Sequence, residues 1–203
     1  MFTGIIEMVG RVVGWEDRGG QRVLSVDAES LIDELQIGSS VALSGVCLTV
    51  THRDGERFRV DVATETLKRT TLGGLAVDDR VNLELPVRPD GRMDGHFVQG
   101  HVDGRGRIAS VREVGSDRVL RIEHAPDSDP LVVEKGSIAV DGVSLTVTAC
   151  GEGWFELMLI PHTLRVTTLG GVSEGDDVNL EYDILGKYLI RLTELGRNPW
   201  TTN

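Results

Sequence analysis

The feature that most constrains this chain is that it contains itself twice. Ser44-Gly45-Val46-Cys47-Leu48-Thr49-Val50-Thr51 returns 97 residues later as Asp141-Gly142-Val143-Ser144-Leu145-Thr146-Val147-Thr148, identical at six of eight positions. The stretch 66–74 returns at 163–171, and Val81-Asn82-Leu83-Glu84 returns unchanged as Val178-Asn179-Leu180-Glu181, both at the same offset. Near the start the offset slips to 96, where Gly4 and Gly10-Arg11-Val12 fall on Gly100 and Gly106-Arg107-Ile108. A long unit present only twice marks a duplicated domain, because solenoid units are shorter and more numerous. The 203 residues then divide into two units of comfortable core size.

Read as a strand, each repeated stretch alternates at period two. Val46, Leu48 and Val50 face a core, while Cys47, Thr49 and Thr51 face away; Val143, Leu145 and Val147 oppose Ser144, Thr146 and Thr148 in the same manner. Such a strand, apolar behind and hydroxyl-rich in front, can line a pocket for a polar small molecule. A half-exposed sheet face rich in Thr, which strands favour, is the plainer alternative. Short runs rich in Val, Leu, Ile and Thr, at 22–26, 41–51 and 58–63, are separated by Gly, Asp and Asn. Several such strands in under a hundred residues predict a small antiparallel barrel, where closure removes exposed edges. A short helix is expected over 30–35 with Ser30 as N-cap, with a weaker counterpart over 127–133. Helical turns are expected over 66–72 and 163–169, each ended by a Gly pair.

The run 86–95, rich in Pro, Gly and Asp, reads as the linker. After the second copy, Ile184, Leu185, Tyr188, Leu189, Leu192 and Leu195 recur at helical spacing, with Asp183 as cap and Pro199 past the end. This helix either folds back on its own barrel or packs against copies of itself. The organisation expected is 1–95, a first barrel with linker; 96–183, a second barrel; and 184–203, a C-terminal helix and tail.

A formal charge of −11 argues against a nucleic-acid surface, which needs clustered Lys and Arg. No window approaches a membrane span, and the first residues lack a signal-peptide pattern. Cys47 and Cys150 are too few for a disulfide framework, so a reducing, cytoplasmic setting is the default expectation.

Chemistry can come from few residues. His96 and His101, flanked by glycines in 95–104, can serve as acid/base groups; no third residue at telling spacing accompanies them as metal ligands. Cys47 is the one reactive-type side chain on the polar face of the first strand; an inert buried thiol is the alternative. Asp141 in place of Ser44 is the sharpest difference between the copies: either it orients Ser144 or contacts a ligand, or it is a turn residue before Gly142. Lys135 and His162 read equally as ligand contacts or surface groups. Two similar pockets with unequal polar residues suit two related ligands, and orienting them can supply roughly 7–11 kcal/mol of barrier.

Met1-Phe2-Thr3-Gly4-Ile5-Ile6-Glu7, Gly45-Val46-Cys47-Leu48-Thr49-Val50, Gly95-His96-Phe97-Val98-Gln99-Gly100-His101-Val102-Asp103-Gly104, Asp141–Val147 and Ile160-Pro161-His162-Thr163, in this order over nearly the whole chain, resemble the riboflavin synthase family. The resemblance implies an all-β fold of two six-stranded Greek-key barrels plus a C-terminal α-helix that assembles a homotrimer. It implies dismutation of two 6,7-dimethyl-8-(1-D-ribityl)lumazine molecules to riboflavin and 5-amino-6-(D-ribitylamino)uracil, with neither metal nor other cofactor. It leaves open whether lumazine synthase, the maker of that substrate, associates with the chain. The first site would use Gly4, Ile5, Ile6, Cys47, Leu48, Thr49, Asp61, Val62, Ala63, Thr64, Glu65 and Thr66. The second would use Gly100, His101, Val102, Lys135, Ser144, Leu145, Thr146, Met158, Leu159, Ile160, Pro161, His162 and Thr163. Cys47, Ser144, Asp141, His96 and His101 match the family's polar residues near the reacting centre. Cys47 or Ser144 is expected to assist nucleophile addition, and His101 with Asp141 to shape the site. The rival is a non-catalytic lumazine- or flavin-binding antenna protein on the same barrels, which would be expected to lose polar residues in one of them.

Overall fold

A computed structural model describes residues 1–19 and 21–195. Twelve strands form two closed, wholly antiparallel barrels. The first holds β1 (Met8–Arg18), β2 (Gln21–Asp27), β3 (Ser40–Leu43), β4 (Val46–Asp54), β5 (Arg57–Ala63) and β6 (Arg80–Glu84), paired around the ring in the order β1-β2-β5-β4-β3-β6. The second holds β7 (Gly104–Val114), β8 (Asp117–Glu123), β9 (Ser137–Val140), β10 (Val143–Gly151), β11 (Trp154–Leu159) and β12 (Asp177–Tyr182), in the equivalent order. Closure gives every strand among the described residues a partner on both sides, which removes the edges of an open sheet. Each barrel is filled by its own cluster: Leu24, Val41, Leu48, Phe58 and Leu83 in the first, Leu120, Ile138, Phe155, Leu157 and Leu180 in the second. The alternation expected for the repeated strands holds, with Val46, Leu48 and Val50 buried in β4 and Thr49 and Thr51 exposed; in β10, Leu145 is only half-buried.

Three local expectations need correction. The run 41–51 is two strands, because Ser44 and Gly45 both take left-handed backbone (φ +42° and +81°) and turn β3 back onto β4. Positive φ at both central residues is what a two-residue hairpin of type I′ requires. The helix over 30–35 is a single 3-10 turn, Glu29–Leu31, with Ala28 at the N-cap position and Ser30 inside the turn. Leu31, Ile32 and Leu35 dip into the barrel, and this burial sets the path in place of helical propensity. Its counterpart, Pro126–Leu131, is likewise 3-10 and contains Pro130. The later helical turns begin two residues early and break in the middle: α1 (Thr64–Arg69) and α2 (Pro161–Val166) each pass into a 3-10 turn, at Thr71–Gly74 and Thr168–Gly171. Thr70 and Thr167 cause the break. Each leaves helical backbone and donates its hydroxyl to a carbonyl four residues back, Thr66 or Thr163, at 2.7 Å, while accepting the amide two residues on.

The C-terminal helix is α3 (Ile184–Glu194), with the Asp183 carboxylate accepting from Leu185 N as expected for a cap. Leu185, Tyr188, Leu189 and Leu195 lie exposed along it. Pro199, expected past its end, lies outside the described residues. Among the described residues no helix is long and apolar enough to cross a membrane.

Candidate active site

The two barrels meet about a local two-fold relation, with the starts of β4 and β10 at the junction and the rest of their polar faces open. Two buried asparagines fix it. Asn82 Nδ2 donates to Asp141 O at 2.9 Å and its Oδ1 accepts Thr168 N at 2.8 Å; Asn179 Nδ2 donates to Ser44 O at 2.9 Å and its Oδ1 accepts Thr71 N at 2.8 Å. Both side chains are wholly buried, and each has its oxygen and its amide nitrogen paired across the junction. Gly45 and Gly142 pack backbone to backbone there: a Cβ on either would come within 2.7 Å of the other's amide.

The segments that lead into each barrel cross to the other one. Phe2 and Val98, equivalent residues of the two copies, pair with each other (Phe2 N to Val98 O, 2.7 Å). Ser144 N then donates to Gly4 O at 2.7 Å, and Cys47 N to Gly100 O at 2.8 Å. Both glycines have φ +78°, and a Cβ on Gly4 or Gly100 would strike Ser144 or Cys47 at under 3 Å, so only glycine fits. Ile6 packs on the second core and Val102 on the first. The expected grouping is therefore exchanged: Gly4, Ile5 and Ile6 belong with Ser144, while Gly100, His101 and Val102 belong with Cys47. Each lead-in is anchored by a buried glutamate at the end of its own barrel's last strand. Glu84 accepts Thr3 N, Thr3 Oγ1 and Gly4 N, and Glu181 accepts Gln99 N at 2.6 Å and His101 N at 2.9 Å. Burial raises both carboxyls above the ordinary range, and the amides partly offset it.

The polar residues at the two seats differ. Ser144 Oγ lies 2.7 Å from His96 Nδ1, whose Nε2 is buried with no partner among the described residues. Burial depresses the His96 imidazole below its ordinary value, against the pull of Asp183, so the neutral ring is favoured. A neutral imidazole accepting from a serine hydroxyl is competent to take a proton through it. Cys47, half-buried, has no such partner and lies against the small junction core of Phe2, Ala42, Val98 and Ala139. Asp141 does not orient Ser144. It takes the turn role instead (φ +45°), its Oδ1 accepting Asn179 N at 2.8 Å as Ser44 Oγ accepts Asn82 N at 3.2 Å. With no cation beside it, burial pushes its carboxyl up to about 7. No contact joins Asp141 to His101, whose imidazole is exposed on its lead-in.

The other candidates frame these seats. Thr49 and Thr146 are exposed on the polar faces, and Thr66 and Thr163 are half-buried at the first turns of α1 and α2. Asp61, Ala63, Thr64 and Glu65 are exposed beside β4; Met158, Ile160 and His162, with half-buried Pro161, hold the equivalent places beside β10. Leu48, Val62 and Leu159 send their side chains into the cores, which leaves only their backbone to a ligand, and Leu145 is half-buried against the second core. Lys135 is exposed with φ +66°, its amide donating to Val147 O at 2.8 Å. A cavity of about 460 Å³ lies between the first lead-in and the linker; of the candidates it takes in Ile5, with Thr3, Glu7, Glu84, Arg88 and Arg92 around it. Cys47 and Ser144 do not line it; their strands present open faces. Among the described residues no three His, Cys, Asp or Glu side chains gather as a metal site. Asn82, Asn179, Glu84 and Glu181 were not anticipated, although one sequence signal existed: a polar residue repeated unchanged inside the apolar Val-Asn-Leu-Glu run.

Comparison with known proteins bears on this architecture directly. The lumazine binding domain family matches twice, over residues 3–86 and 99–183. The chain is 45% identical over 197 residues to the riboflavin synthase of Mycobacterium tuberculosis, covering 95% of this chain and 98% of that one. It is 43% identical over 189 residues to that of Actinobacillus pleuropneumoniae (93% and 88% covered) and 39% identical over 191 residues to that of Bacillus subtilis (94% and 89% covered). Solved structures of LumP complexed with 6,7-dimethyl-8-(1'-D-ribityl) lumazine and with riboflavin superpose with TM-scores of 0.81, each covering 90% of this chain and 99% of theirs, at 20% and 24% identity; they share the fold. A twice-matched lumazine-binding unit and near full-length identity to these enzymes agree: the chain belongs to the riboflavin synthase family.

Proposed function

We propose that the chain catalyses the dismutation of two 6,7-dimethyl-8-(1-D-ribityl)lumazine molecules. One gives up a four-carbon unit and leaves as 5-amino-6-(D-ribitylamino)uracil; the other accepts it and becomes riboflavin, so the reaction is a group transfer that balances without an external oxidant. The observation that carries this reading is the pair of equivalent seats, Gly4 against Ser144 and Gly100 against Cys47, on two hydroxyl-lined strands. Each seat offers backbone groups and threonine hydroxyls to a flat ring and its ribityl chain. The lumazine C7 methyl is acidic because the electron-poor ring delocalises the carbanion. Ser144 with neutral His96 is placed to exchange that proton, and Cys47 to assist nucleophile addition at the other ring. His101 borders the Cys47 seat and meets a ligand from solvent.

The open faces of β4 and β10 favour a site completed by a second subunit, and the exposed apolar face of α3 supports a homotrimer as the assembly. The domains are taken as 1–95 and 96–183, with 184–203 for assembly. Free Cys47 and Cys150 suit a reducing cytoplasm. The test is to mix purified protein with the lumazine and follow products. One riboflavin and one pyrimidinedione per two lumazines consumed is the expected result. Tight binding without turnover would instead make the chain a ligand carrier of the same fold.

A further inference from the structure

The two lead-in segments are anchored by matching devices that differ at one point. In the first barrel, Glu84 holds the Thr3 and Gly4 amides, and Glu7 Oε1 accepts Leu85 N at 2.8 Å. In the second, Glu181 holds the Gln99 and His101 amides, and Asp103 Oδ2 accepts Tyr182 N at 2.9 Å. Among the described residues, only the second device has an ion pair to a cation. Lys187 Nζ, on α3, lies 2.6 Å from Asp103 Oδ2, with both side chains less than a third exposed, and its charge also favours ionised Glu181. The residue 97 positions before Lys187 is Asp90, an acid paired with Arg88 in the linker. Among the described residues Glu84 has no ion pair to a cation, and it feels the negative charge of Glu7 instead.

Among the described residues the Lys187–Asp103 pair is the one side-chain ion pair or hydrogen bond from α3 to the barrel. Arg191 pairs with Glu194 and Thr193 with Ile190, both within the helix. We infer that Lys187 is a positioning residue for the segment Gln99–Asp103, so that the C-terminal helix forms part of the scaffold that seats Gly100 on Cys47 and presents His101. The Lys187 ammonium favours the charged form of Glu181 against its burial, and an anionic carboxylate is the stronger acceptor for the amides it holds. Without it the lead-in loosens on one side of the molecule only.

The bearing on catalysis rests on the reaction proposed above; the bearing on the segment does not. Two readouts separate them: hydrogen exchange at the lead-in amides, and lumazine turnover. In the full chain, Lys187→Met is expected to speed exchange at Gln99 and His101 about tenfold while Thr3 and Gly4 stay within about twofold. It is expected to lower kcat about tenfold with a smaller change in KM, as loss of orientation does. Lys187→Arg restores both, and Arg191→Met on the same helix changes neither. Asp103→Asn, which keeps an acceptor for Tyr182 N but removes the charge, shifts exchange in the same direction. The inference is overturned if exchange at Gln99 and His101 is unchanged, or if both lead-ins speed up together, which would report general loosening. Unchanged turnover despite faster exchange overturns the positioning role. If the unaltered protein binds lumazine without converting it, the proposed reaction fails, and the exchange measurement still decides whether Lys187 holds the segment.

Discussion

The two barrels share strand order, turn geometry, junction asparagines and lead-in glutamates, yet their ligand seats are unlike. The first offers Cys47, Asp61, Ala63 and Glu65 where the second offers Ser144, Met158, Ile160 and His162. The first turns at Ser44 and the second at Asp141; among the described residues only the second has a histidine on its seat residue and a lysine paired with the aspartate of its lead-in. What is common holds the barrels together, and what differs lies mostly at or behind the ligand seats. The symmetric parts are therefore expected to govern stability and the asymmetric parts chemistry, a division that substitution can break.

The largest effect is expected at the shared junction. Asn82→Leu leaves Thr168 N and Asp141 O unpaired in a buried place, at about 1–3 kcal/mol for each orphaned group. Asn179→Leu should cost the same by symmetry, read as matching shifts in urea unfolding. Markedly unequal costs would show that the junction is not symmetric in energy. Next come the seats. Ser144→Ala and His96→Gln are expected to lower kcat by about 10²-fold each, and the double variant little further, because the two act as one proton-transfer unit. Cys47→Ser gives the first seat the second's hydroxyl without its histidine, and should lower the rate by less.

Asp141→Ser makes the second turn like the first and sharpens the comparison through pH. The folded chain holds the Asp141 proton up to about 7, whereas the unfolded chain releases it near 3.8. Between those values the folded state binds more protons, so this group lowers stability as pH rises through the interval and is level above it. The displacement corresponds to a penalty of at most about 4 kcal/mol at pH 8. The serine variant should be the more stable at pH 8, with the advantage gone by pH 4, in unfolding curves across that range. The smallest effect is expected from Arg69→Ala, which breaks the exposed Arg69–Glu65 pair of α1; α2 has no such pair, and the melting midpoint should not move.

Much of the fold was legible because period-two patterning, repeated at a fixed offset, announces strands twice over. The hairpin at Ser44–Gly45 carried a turn dipeptide, yet the apolar residues on both sides made one strand of it. The helix over 30–35 failed because Leu31, Ile32 and Leu35 are spent on the barrel interior. At the site, residue types were legible but not their grouping. Gly4 and Gly100 can dock on either hydroxyl strand as far as local pattern goes, and only the arrangement of the barrels decides. Ser144 and His96 stand 48 residues apart, so nothing local announced their hydrogen bond.

Phe2 pairs with Val98, its own counterpart. A residue facing its equivalent is the mark of a symmetric dimer, so this chain has the interior of a homodimer threaded on one backbone, with its end segments swapped. Two separate copies would carry every change twice. Fusion removes that constraint and lets each half drift alone while the other keeps the shape. The serine with its histidine on one side, and the unassisted thiol on the other, are differences that an unfused pair of identical chains had no means to inherit.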